Sequence, residues 1–301
     1  MIVRATALSL LAGYPGEDTD QAVKTALVDD EALIRRTATQ TLRSDSPEAL
    51  ARYLGPLLYD PVRAVRHEAA RRLVGKASGH LDSKQTQVFR EALGDYESSM
   101  RYSADFAFGR FNLANLYLAQ GDTDAVEKNY LAAIDIDTLF YPSKVNLAMM
   151  YNKEGRNGDA EKLFREVVAE NPNLYEISYS LGLLLTEEKK YEEAAVYLKR
   201  AAAGLPDRAR VHYNLGMLLA LMGRKDASTE LRKALELEPD NMDFLYALAD
   251  CHLQQNRIAD ARQVVTQMIE QHPESAIGPS LMRVIDQASN TRKKLGTAQK
   301  E

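Results

Sequence analysis

The chain has 301 residues, 45% of them hydrophobic and 27% charged, and a formal net charge of −5 at pH 7. That balance, with Lys and Arg scattered among acids, excludes a general electrostatic footprint for nucleic acid or for an anionic membrane. A single cysteine, Cys251, excludes an internal disulfide framework and a multi-cysteine metal site, and no apolar stretch approaches the ~20 residues that span a bilayer.

The first predicted element is a helix over Met1–Ala12, closed by the Gly13–Gly16 turn. Its residues Val3, Arg4, Ala7 and Leu11 return 31 positions later as Ile34, Arg35, Ala38 and Leu42, and again as Val65, Arg66, Ala69 and Leu73. A fixed period of this size means stacked units that cannot bury their apolar faces alone. The register favours a repeat over a signal sequence for Ala5–Ala12. Ala49–Gly75 is the best-written unit. Leu50, Leu54, Leu57 and Leu58 mark one amphipathic helix, Asp60-Pro61 breaks it, and Val62, Val65, Ala69 and Leu73 line the next.

Asp60-Pro61-Val62-Arg63, with the columns Arg4/Arg35/Arg66 and Ala7/Ala38/Ala69, resembles HEAT-like repeats over residues 1–82. The resemblance implies that the acid before each second helix pairs with an arginine of a neighbouring unit. Asp29, Asp60, Arg35 and Arg66 then belong to a ladder and not to a ligand site. In this register Met1–Ala12 is a second helix without its first. Its apolar side is expected to be uncovered, either because the chain is cut from a longer one or because another surface lies over it.

Gly75–Asp82 reads as a loop and Ser83 as an N-cap. A connecting helix follows within 83–106, with Val88, Phe89, Ala92, Leu93, Tyr96 and Met100 as its apolar positions. Five units then occupy 107–140, 141–174, 175–208, 209–241 and 242–275. Each first helix carries Leu-Ala or Leu-Gly: Leu113-Ala114, Leu147-Ala148, Leu181-Gly182, Leu215-Gly216 and Leu248-Ala249. Turns follow at Gly121, Gly155, Lys189, Gly223 and Asn256. The second helices bring Val126, Ala160, Ala194, Ala227 and Ala261, then Tyr130, Phe164, Leu198, Leu231 and Val265. Pro172, Pro206, Pro239 and Pro273 end them.

Residues 107–275 resemble the tetratricopeptide repeat. The departures are Val126 where Ala is usual, Thr138 where Pro is usual, the absence of Trp, and one residue lost between Gly223 and Ala227. That loss is expected to alter a turn and not the packing. Ala276–Ser289 is the expected capping helix, and Asn290–Glu301 a frayed polar tail. The expected fold is all-α: a double α-solenoid of HEAT-like repeats, five tetratricopeptide units and a capping helix over 276–301.

Chemistry is sparse. His67, His80, His212 and His272 share no ligand spacing, and His252 fills a large-residue packing position. Cys251-His252 would need a cysteine at 248 to attach haem, where Leu248 stands. No phosphate loop or nucleophile elbow is present. The reading is a non-enzyme with no cofactor and no metal.

The resemblance puts the concave surface on the first helices. The residue two before each conserved-register leucine is Phe111, Val145, Tyr179, Tyr213 or Tyr246. Next to that column stand Asn112, Asn146 and Asn214, and beyond the leucine Asn115, Met149 and Met217. Aromatics, methionines and amides suit a peptide guest. The alternative is that the aromatics pack between neighbouring helices, above all Phe111, and that the amides bond within the scaffold. A carboxylate clamp needs Lys where Phe111 stands and basic groups where Glu176 and Ser180 stand, so it is not expected.

The expected function is a protein-interaction scaffold that binds a protein or peptide segment, without nucleic acid and without membrane insertion. Self-association through the solenoid ends is the structural alternative. A broader resemblance, carried by the order of the two arrays, is to the C-terminal part of bacterial multihaem cytochrome proteins. It implies a docking or assembly module in the periplasm; otherwise the compartment is cytoplasmic.

Overall fold

Small residues that return once per unit set how closely the helices approach. In the computed structural model, residues 1–14, 16–44 and 46–298 are described, and among them there are seventeen α-helices and no strand. Two compact units are formed, Met1–Leu147 and Ala148–Glu301.

The first unit begins with α1 (Ile2–Leu10), α2 (Glu17–Ala26), α3 (Ala32–Thr41), α4 (Pro47–Leu54) and α5 (Arg63–Leu73). Helices α1, α3 and α5 pack side by side, with α2 against α3 and α4 against α5. Ile34, Ala38 and Leu42, like Val65, Ala69 and Leu73, are buried, and the two alanines are fully covered. Removing such aliphatic faces from water stabilises by ~25 cal/mol per Å². The start of the same stripe lies open on α1: Val3 is 81% exposed where Ile34 is 2% and Val65 0%, and Ala7 is exposed too, while Leu11 just beyond the helix is half-buried against the core. The expected uncovered face is therefore present. Pro15, inside the Gly13–Gly16 turn, lies outside the described residues.

The ladder is present at two rungs. Arg35 grips Asp60 with both arms of its guanidinium, Nε to Oδ2 at 2.6 Å and Nη2 to Oδ1 at 2.9 Å. Arg4 pairs with Asp29 one unit earlier. Each acid also accepts a backbone N–H two residues on, from Glu31 and Val62, which fixes the entry to the following helix.

Residues 75–82 are not all irregular, because Lys76–His80 forms a 3₁₀ turn. The cap of α6 (Ser83–Tyr102) is Asp82 and not Ser83. Asp82 Oδ1 accepts the Gln85 N–H at 2.8 Å and Gln85 Oε1 accepts the Asp82 N–H at 3.2 Å, a reciprocal pair that a serine at the next position cannot match. Helix α6 packs between α5 and α7 (Ala107–Gln120), which pairs with α8 (Thr123–Ile136). Helix α9 (Tyr141–Lys153) is divided between the two units.

The second unit continues with α10 (Asn157–Glu170), α11 (Tyr175–Glu187), α12 (Tyr191–Gly204), α13 (Ala209–Leu221), α14 (Ala227–Leu237), α15 (Met242–Gln254), α16 (Ile258–Gln271) and α17 (Ile277–Ala298). Consecutive helices pack in antiparallel pairs, and the first helices α11, α13 and α15 also touch one another. At the α13–α14 crossing a Cβ on Gly216 would lie 2.7 Å from Leu231 Cγ, so only glycine admits the leucine there. The residue lost before Ala227 is absorbed in the turn. Helix α14 starts late and is 11 residues long, while Ala227 and Leu231 are fully buried, as Ala194 and Leu198 are in α12.

All five turn positions of the 34-residue array have positive φ: Gly121, Gly155 and Gly223, but also Lys189 at 61° and Asn256 at 60°. A lysine held left-handed sacrifices ~1 kcal/mol or more to its Cβ. Lys189→Gly is accordingly expected to raise stability by about 0.5–1 kcal/mol, after the greater unfolded-state freedom of glycine is subtracted. Urea titration of the two proteins checks it; a lower midpoint for the glycine variant would refute it.

Helix α17 runs on to Ala298, so residues 290–298 are helical and not the frayed tail expected. The stretch 291–295 holds no breaker and four good helix formers, Arg292, Lys293, Lys294 and Leu295. The last three residues of the expected tail, 299–301, lie outside the described residues.

Candidate functional site

The first-helix face of the second unit is built on a row of aromatic residues one repeat apart. Tyr179 on α11 and Tyr213 on α13 are half-buried, and Tyr246 on α15 is 46% exposed. Periodicity explains the row. Each tyrosine stands two residues before a buried leucine of its helix, so it points about 200° away from the leucine, toward the opposite side of the helix. Met217 is 42% exposed and Met149, on α9, 59%.

Neighbouring repeats hold Tyr179 and Tyr213 in place. The Tyr213 ring stacks on Phe244 of α15, with centroids 4.9 Å apart and planes at 27°. Phe244 is itself fully buried, so it acts as the rigid floor under Tyr213. The Tyr179 hydroxyl accepts a hydrogen bond from Asn214 Nδ2 at 2.5 Å, which ties α11 to α13. Burial pushes the Tyr179 phenol above its ordinary range, against the Asn214 bond and the charges of Arg210 and Arg208. The Arg210 guanidinium lies 5.3 Å from the centroids of both Tyr213 and Phe244. Beyond Tyr246, a shallow apolar groove of about 360 Å³ opens between α15 and α17, lined by Tyr246, Ala276, Ile277, Ser280, Leu281 and Val284.

In the first unit the corresponding residues are differently employed. Phe111 packs edge-on against Phe140 at 5.6 Å and tilts against Tyr130 at 6.0 Å. The Tyr130 hydroxyl donates to Asn115 Oδ1 at 2.6 Å, and Asn146 Nδ2 donates to both Asn115 Oδ1 and Tyr130 Oη at 3.1 Å. Asn112 is half-buried on α7. The expectation that Asn115 and Asn146 offer their amides to a guest is thereby narrowed, because much of their bonding capacity goes to each other and to a buried phenol. The sequence held a signal for this. Tyr130 occupies a slot filled by Phe164, Leu198, Leu231 and Val265 in the later units, so it alone brings a hydroxyl that needs a partner in the core.

Arg210 and Phe244 were not singled out from the sequence, and Ile277, Leu281 and Val284 were read only as the apolar face of the capping helix. Arg210 is one of many arginines, and Phe244 lies outside the column that periodicity picks out. Phe244 meets Tyr213 and Arg210 across adjacent first helices, which no pattern within one helix shows.

Two histidines are buried in the second unit. His212 is buried, its Nδ1 2.7 Å from Glu230 Oε2 and its Nε2 3.0 Å from the Pro206 carbonyl, which makes it a helix-to-helix tie. His252 is 1% exposed, and burial together with Arg257 and Arg232 lowers its pKa and favours the neutral ring. Among the described residues no group of three or more His, Cys, Asp or Glu could hold a metal ion, and no helix is long and apolar enough to cross a membrane.

Three segments match sequence models described as tetratricopeptide repeat, at residues 109–138, 146–209 and 225–282. Solved structures show the same fold at low identity. YrrB, a TPR protein with an unusual peptide-binding site, aligns with a TM-score of 0.55 at 18% identity, over 62% of this chain and 96% of its own. MamA aligns with a TM-score of 0.53 at 19% identity, over 56% and 93%. MamA from Desulfovibrio magneticus RS-1, residue 41 to the end, gives 0.50 at 20% identity, over 56% and 97%. No curated protein matches the sequence.

Proposed function

The chain is a tetratricopeptide-repeat protein, and on that premise we propose that it is a non-catalytic scaffold that binds a protein or peptide segment on the first-helix face of residues 148–301. The observation that carries this reading is the tyrosine row. Tyr179 and Tyr213 are held by their neighbours yet keep part of their surface open, and Tyr246 is exposed beside them, with exposed Met149 and Met217 in the same unit. Rigid aromatics supply contact area with little rotamer entropy to lose, and methionine adapts to irregular shapes. YrrB, similar in fold, is a TPR protein with a peptide-binding site, which is consistent with the proposal.

The row also explains why such a face can bind without an enclosed pocket. Two or three partly open aromatics on neighbouring helices form a track that an extended or helical segment can follow, and a few anchors dominate the affinity of such surfaces.

Tyr179→Ala combined with Tyr213→Ala is expected to weaken binding of the native partner by about tenfold or more while the helical content is retained. Circular dichroism and quantitative pull-down from the host, run on the same preparations, check it. Loss of helicity would place both residues in the core; full retention of binding in a folded double variant would sink the reading.

A further inference from the structure

We propose that the bound segment carries an acidic side chain that pairs with Arg210 and, three or four residues away, an aliphatic side chain held in the groove between α15 and α17. This rests on the peptide-binding reading above and adds the chemistry of the guest. Arg210 is exposed and stands one turn before Tyr213 on α13. Among the described residues no carboxylate lies within ion-pair distance of it. The equivalent positions one unit away on either side are acidic. Glu176 is taken by Arg208 at 3.6 Å, and Asp243 forms no ion pair with Arg210.

A guanidinium lying over the Tyr213 and Phe244 rings is already oriented. Its place over the two rings limits its freedom but brings no countercharge. An incoming carboxylate can then form a bidentate pair without first ordering the arginine, which lowers the entropic cost of the contact. A lysine at this position would lack the fork.

The groove supplies the second contact. Ile277 is 43% exposed, Val284 50% and Tyr246 46%, and no charged side chain lines it. It fits one Leu-sized or Phe-sized side chain, whose burial is favourable by about 1.5–3 kcal/mol at best. Neighbouring first helices of such a stack lie ~8–10 Å apart. From Arg210 on α13 to the far side of α15 the span is therefore ~10–14 Å. An extended chain rises ~3.3 Å per residue, which sets the acid and the aliphatic residue three or four positions apart.

The test is selection from a phage-displayed library of random dodecapeptides on the purified protein, followed by fluorescence anisotropy with fluorescein-labelled copies of the selected peptides. The expected result is enrichment of Asp or Glu three or four residues from Leu, Ile, Met or Phe. Arg210→Glu should weaken the selected peptides about tenfold or more, and selection on that variant should favour Lys or Arg instead. Arg210→Gln should weaken them with no new preference, and Val284→Glu should erase the aliphatic preference. Added salt should weaken the wild-type complex and spare that of Arg210→Gln. Thermal melts of the variants show whether the fold is kept; the substituted side chains are exposed, so it should be. Peptides that bind and depend on Tyr213 but show no acid preference would overturn the Arg210 pairing alone. If no peptide is selected at all, the pairing and the peptide-binding reading both fall.

Discussion

Asp60→Ala is expected to lower the unfolding free energy by about 3 kcal/mol, read by urea titration. The carboxylate side chain is 4% exposed and that of its partner Arg35 12%. Removing the acid leaves a nearly buried guanidinium with two donors unanswered, and such an uncompensated charge is far more expensive than the net worth of the intact pair. The Val62 N–H loses its acceptor as well, so the start of α5 loosens. Arg35→Ala should be costly for the same reason, while the double variant should recover part of the loss; a cycle showing simple additivity would contradict this. The Arg4–Asp29 rung is different. Arg4 is 62% exposed there, and Asp29→Ala should have a much smaller effect. Acid titration offers a further check. Burial pushes the Asp60 carboxyl up, but the Arg35 bonds, the Val62 N–H and the Arg35 and Arg66 charges outweigh it and hold it below the usual carboxylate range. A folded value depressed below the unfolded ~3.9 contributes stability that is complete above about pH 5 and lost as pH falls through the folded value. Asp60→Ala should therefore show a flatter acid limb than the wild type.

Phe244→Ala should destabilise by about 3–5 kcal/mol and also abolish partner binding, whereas Tyr213→Ala should mainly affect binding. Phe244 is fully buried, and truncating a buried ring removes both its transfer energy and the packing around the void left behind. It is also the surface on which Tyr213 and Arg210 rest. Without it both side chains regain rotamer freedom that a guest would have to remove again. Tyr213 is half-buried, so its loss opens no comparable cavity. Thermal melts rank the two variants for stability, and anisotropy at a temperature where both are folded ranks them for binding. Wild-type affinity in folded Phe244→Ala would separate the aromatic face from its support and count against the site described above.

Much of the architecture was legible because a repeat writes each decision several times. The column Gly121, Gly155, Lys189, Gly223 and Asn256 reads as a turn even where lysine stands in it, and all five residues do adopt positive φ. Leu-Gly at 181–182 and 215–216 reads as a close crossing, and Leu198 and Leu231 fill it. The unpartnered stripe at the start of the chain follows from register alone, and its first two residues, Val3 and Ala7, are exposed. Less legible were the ends of elements. Asp82 displaced Ser83 as a cap through a side chain three residues on, and α17 outran the expected tail.

The amino-acid sequence by itself determined the helices, the two periods, the turns and the row of tyrosines. These depend on residues within one hairpin and its immediate successor, where spacing is the geometry. Only the tertiary structure decided which polar and aromatic groups remain open to a guest. Asn115 is satisfied from 15 and 31 positions away, Asn214 bonds a phenol 35 positions away, and Arg210 lies over rings on two different helices. Whether a side chain is already satisfied depends on what the adjacent helix brings to it, at an angle and depth that a linear pattern does not encode.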